Sequence, residues 1–154
     1  MTLTGWFWVH ISLIASGFIA FMISVLSAAI YLLQSAQLKS KQFGKNFLRL
    51  PSLESLDRIH FKSLSWGVAL FSLGILSGIF WARDIKELPA LFRDPKVILS
   101  FLTCVMYWVV LSVRLSALRR GQKIAVGTSV IFVLLIITFM TRHYTPALAA
   151  AQGF

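Results

Sequence analysis

The chain has 154 residues, of which 58% are hydrophobic and only 13% charged, with a mean hydropathy of +0.81. A soluble domain carries roughly a quarter charged residues, so this composition excludes an ordinary soluble enzyme and points to an integral membrane protein of one compact domain. The formal charge of +10, from 15 basic and 5 acidic residues, reads as loops facing anionic lipid, and no nucleic-acid partner is expected.

Four long apolar stretches predict an all-α, four-helix membrane bundle. They cover about residues 7–33, 64–82, 97–113 and 124–141. Each reaches or approaches the ~20 residues a helix needs to cross about 30 Å of hydrocarbon. The stretches are too continuous for the alternating strands of an outer-membrane barrel. No basic run precedes Trp6, so the first stretch is expected to remain in the protein rather than be cleaved as a signal.

The first span places His10, Gly17, Ala20, Ser24 and Ser27 at helical spacing on one face. Segment 34–63 follows as a loop rich in Lys and Arg. Within it, Ser52 to His60 predicts a short amphipathic helix, capped by Ser52 and apolar at Leu53, Leu56 and Ile59. His60 reads as a solvated loop residue beside Arg58 and Lys62. The second span carries Gly67, Gly74 and Gly78 on one face, with Gly74 and Gly78 at the spacing of a close-approach motif. Small residues on these faces either pack helices together or leave room for a flat cofactor.

Loop 83–96 balances Arg83, Lys86, Arg93 and Lys96 against Asp84, Glu87 and Asp94, and acids are expected only in loops. Pro95 falls in the first turn of the third span. Cys104, the only cysteine, lies mid-span and reads as a buried, inert thiol; it precludes both an intramolecular disulfide and the usual motif for covalent haem. Loop 114–123 holds Arg114, Arg119, Arg120 and Lys123 and no acid. The positive-inside rule then puts loops 34–63 and 114–123 in the cytoplasm. Both termini and loop 83–96 face outside, N-out/C-out, across the inner (cytoplasmic) membrane.

This topology gathers His10 and His143 at the outer end. Paired imidazoles there suit a haem iron held from both sides. Trp81, Trp6, Trp8 and Tyr144 offer rings for a porphyrin face, and Arg83 and Arg142 offer cations for its propionates. The alternative for each histidine is an interfacial polar residue. No HExxH, glycine-rich phosphate loop or nucleophile elbow is present, and no catalytic residue is assigned.

Four segments carry a family likeness. They are WVHISLIASGFIAFMISVLSAAIYLL, LPSLESLDRIHFKSLSWGVALFSLGILSGIFWA, RDPKVILSFLTCVMYWVVLSVRL and RRGQKIAVGTSVIFVLLIITFM. Together they resemble the CcsA/HemX/YpjD group of cytochrome c assembly membrane proteins. The resemblance implies haem handling outside the membrane, between two external histidines and beneath a tryptophan-rich segment. That segment usually resembles WGxxWxWDPK. Here it is WARDIKELPALFRDPK, which keeps Trp81 and Asp94-Pro95-Lys96 but not the central tryptophans. The resemblance implies b-type haem as cofactor and, besides the lipid bilayer, membrane subunits or cytochrome assembly proteins as partners. The alternative is a non-catalytic scaffold or regulatory subunit that has kept the fold and lost haem handling. A compact electron-transfer cytochrome would place histidines deeper in the spans.

Overall fold

In hydrocarbon every backbone N–H and C=O must find a partner within the protein, so uninterrupted apolar runs fold as helices. The computed structural model describes residues 3–40, 51–84, 93–117 and 121–141. Among them are four helices and no strand: α1 (Leu3–Ser40), α2 (Leu53–Asp84), α3 (Pro95–Ala117) and α4 (Gln122–Met140). All four are long and apolar enough to cross a membrane. At 1.5 Å per residue α1 is ~57 Å long, more than hydrocarbon alone requires.

The helices are longer than the apolar stretches, chiefly on the side of segment 34–63. That segment is helical over 34–40 and 53–63 rather than a loop. The short helix expected at 52–60 is the first part of α2. Neither proline nor glycine separates His60 from Leu64, so the helix has no reason to stop. Asp57 and Glu54 therefore lie in a helix, against the expectation that acids keep to loops.

Local chemistry sets the helix ends. Ser52 Oγ accepts from Ser55 N–H at 3.2 Å, and Glu54 sits in the first turn of α2. Asp94 caps α3: its Oδ1 accepts from Lys96 N–H at 2.8 Å, just ahead of Pro95 as the first helical residue. Gly121 opens α4 at φ 124°, where a side chain would be strained. Thr141 ends that helix in extended geometry.

Hydroxyls inside the spans bond back to the carbonyl four residues earlier, as Ser27 does to Ile23, Ser72 to Val68, and Thr138 to Leu134. Such back-bonding hides a polar group that lipid cannot solvate.

Each helix packs on its chain neighbours, and α4 returns to α1, so the bundle closes. The α1–α2 seam is the tightest. Antiparallel pairs interlock along it, with a glycine opposite a larger side chain each time: Gly78 with His10, Gly74 with Ile14, Gly17 with Phe71, and Gly67 with Phe21. A Cβ added at Gly17 would lie 3.1 Å from the backbone nitrogen of Phe71, so any larger residue would push the two helices apart by a few tenths of an ångström. The small residues thus serve packing, and this seam holds no gap for a flat cofactor.

The core between the helices is aromatic. Phe21 and Tyr107 stack at 4.0 Å and 8° across the bundle, and Phe18 packs on Phe132 and Phe139. Side-chain bonds tie the remaining seams. Trp108 Nε1 donates to Ser72 Oγ at 3.0 Å between α3 and α2, and the hydroxyls of Thr103 and Thr138 meet at 3.4 Å between α3 and α4. Cys104 is half-buried rather than buried, with its sulfur 3.4 Å from Ser72 Oγ.

Candidate functional site

His10 lies two turns into α1, half-buried, with its ring against Gly78 of α2. A Cβ at Gly78 would come within 2.9 Å of His10 Cε1, so the missing side chain is what admits the imidazole. His10 Nδ1 is 2.7 Å from the carbonyl oxygen of Gly74. A carbonyl only accepts, so Nδ1 carries the hydrogen, and in the neutral ring Nε2 keeps the lone pair. Ser77 Oγ donates to the same carbonyl at 2.7 Å and stands 3.5 Å from Nδ1. This is how a metal-binding histidine is commonly held: one nitrogen fixed by a carbonyl, the other free to ligate.

Aromatic rings surround that end of the bundle. Trp6 stacks on Phe80 at 5.7 Å and 24°, joining α1 to α2 one turn beyond His10, and Phe7 meets Trp8 edge-on at 5.8 Å. Trp8 is exposed. The other expected site residues are less fully described. Trp81 and Arg83 fall in the last turn of α2, but only their backbone belongs to the described structure. Arg142 and His143, with Tyr144, lie outside the described residues. Among the described residues no cluster of three or more histidines, cysteines or acids forms, so His10 stands there as a single candidate ligand.

A second polar constellation occupies the opposite end, and the sequence reading missed it. His60 is not a solvated loop residue: it is buried in α2, only 3% exposed. Its Nε2 meets Thr128 Oγ1 of α4 at 3.2 Å, and its Nδ1 meets Arg114 Nη1 of α3 at 3.4 Å. Arginine only donates, so Nδ1 accepts. The Thr128 hydroxyl donates to Ile124, so it accepts from Nε2–H. Ser24 of α1 donates to the His60 carbonyl at 3.3 Å. Side chains of the other three helices therefore converge on this one residue of α2.

Arg114 is not a loop residue either. It lies in the last turn of α3, 8% exposed, pairs with Asp57 Oδ2 at 2.8 Å, and stacks over Phe61 at 4.8 Å. The missed signal was periodicity. Leu56, His60, Leu64 and Val68 recur at helical spacing and are all buried, while Ile59, expected on the apolar stripe, is exposed.

The family described as Cytochrome C assembly protein matches residues 2–148. Protein HemX of Bacillus subtilis (strain 168) is 30% identical over 131 residues, covering 85% of this chain and 47% of that protein. Protein HemX of Brevibacillus brevis is 31% identical over 131 residues, 85% of this chain and 48% of that protein. The cytochrome c biogenesis protein CcsA of Prochlorococcus marinus (strain MIT 9312) is 26% identical over 160 residues, 92% of this chain and 52% of that protein. The chain thus spans about half the length of the curated relatives it matches. No solved structure matches it.

Proposed function

The chain belongs to the cytochrome c assembly protein family and is a multi-pass membrane protein; on that premise we propose that it handles haem at the His10 end of its bundle. The observation that carries this reading is the His10 Nδ1 hydrogen bond to Gly74, which leaves Nε2 as the available ligand nitrogen. A b-type haem bound there would supply an iron porphyrin for cytochrome assembly. His10 and His143 would be the residues that hold its iron. Trp81 would lie on the porphyrin, and Arg83 and Arg142 would pair with its propionates. Gly78 and Ser77 are positioning residues: the first admits the imidazole and the second shares the carbonyl that orients it.

The proposed orientation puts this end outside the inner membrane. Exposed Lys39, Arg58, Lys62 and Lys123 at the opposite end support it, since cations favour the cytoplasmic side. The proposed partners are membrane subunits of cytochrome assembly. A second reading is a scaffold that keeps the fold without the cofactor. It is favoured by the packing of His10 into the α1–α2 seam, where the ring already fills space and closes a helix-to-helix hydrogen bond.

An absorption spectrum of the purified protein, with a pyridine haemochrome assay, separates the two. Haem handling predicts a Soret band that His10→Ala removes. Colourless protein that co-purifies with a larger membrane complex supports the scaffold.

A further inference from the structure

We infer that the lipid-facing side of α2 seats one anionic phospholipid at the His60 end. Arg58, Lys62, Trp66, Ala69, Leu73 and Leu76 fall within a sector of about 80° at 3.6 residues per turn, and every one of them is exposed. Trp66 is 67% exposed, and Leu73 and Leu76 are each 52% exposed. The order along the helix is that of a phospholipid: two cations, then an amphipathic indole, then apolar side chains.

The dimensions agree. Trp66 to Leu76 rises about 15 Å, half of the roughly 30 Å hydrocarbon thickness. Acyl chains lying along Ala69, Leu73 and Leu76 therefore put the glycerol region near Trp66, where indoles prefer to sit. Lys62 and Arg58 then stand one and two turns further out, at headgroup level.

Charge complementarity selects the headgroup. Neither Arg58 nor Lys62 makes a hydrogen bond or ion pair among the described residues, whereas the adjacent Asp57 is committed to Arg114. Glu54, exposed one turn before Arg58, is the nearest competing anion on the helix. Two cations one turn apart converge on a single phosphate group. A zwitterionic lipid brings its own cation into that space, and an acidic one does not. Lys123 is also exposed at this end, but it lies on α4 and off the stripe.

The test is native mass spectrometry of the purified chain titrated with phosphatidylglycerol or phosphatidylcholine, with helix content checked by circular dichroism. Wild-type protein should retain phosphatidylglycerol preferentially. The double variant Arg58→Gln with Lys62→Gln should lose that preference by roughly thirtyfold, given about 1 kcal/mol for each cation near a lipid surface. Trp66→Ala should weaken retention of both lipids, Lys123→Gln should change neither, and millimolar inorganic phosphate should not displace the lipid. Equal retention of the two lipids by wild-type protein would overturn the inference. So would an unchanged preference in the folded double variant, or an equal loss in Lys123→Gln.

Discussion

The bundle has a histidine at each end, and the two are held in opposite ways. His60 is enclosed: both ring nitrogens and its carbonyl are bonded, to partners on α4, α3 and α1. His10 is half-open: one nitrogen is fixed by a carbonyl of α2 and the other has no hydrogen bond among the described residues. A residue with every valence used is a structural joint. A residue oriented through one nitrogen keeps the other for a ligand, which is what the proposed site uses. The more buried histidine is the one with no ring nitrogen left over.

The contrast can be broken at its stronger end first. Arg114→Leu leaves the largely enclosed Asp57 without its cation and should cost about 3 kcal/mol, read from unfolding in mild detergent. Adding Asp57→Leu should recover at least half of that loss, since the penalty belongs to the stranded charge. At the other end, Gly78→Ala places a Cβ against the His10 ring and should cost about 1–3 kcal/mol. It should also disturb any spectrum that depends on the imidazole. Thr128→Val removes the acceptor for His60 Nε2–H and should cost about 1–2 kcal/mol, while leaving absorption at the His10 end unchanged. Smallest is Tyr107→Phe. The Tyr107 hydroxyl is buried with no hydrogen-bond partner among the described residues, so its removal should be neutral or stabilise by up to about 1 kcal/mol in the same unfolding measurement.

Much of the fold was legible because hydrocarbon leaves so few options. Four continuous apolar runs had to be helices, Pro95 had to begin one, and Ser52 read correctly as a cap. The interlocking of Gly74 and Gly78 with α1 was also visible as spacing, although the sequence could not decide between packing and a cofactor gap. The His60 knot was not legible, for a physical reason. Charge was taken as a sign of solvent, yet Arg114 of α3 satisfies Asp57 and His60 of α2, and Thr128 of α4 completes the set, across three helices that only the folded chain brings together. Ending the expected helix at His60 compounded the error, because it put Ile59 on the apolar stripe and left out the spacing of Leu56, His60 and Leu64. His10 was legible as a face and a position. What the sequence did not contain was the Gly74 carbonyl that decides which of its nitrogens is free.

The most direct test of this contrast is the absorption spectrum of three purified proteins: the wild type, His10→Ala and His60→Gln, each confirmed helical. The structural account predicts a Soret band in the wild type and in His60→Gln, and none in His10→Ala. A band retained by His10→Ala, or lost from a folded His60→Gln alone, would contradict it.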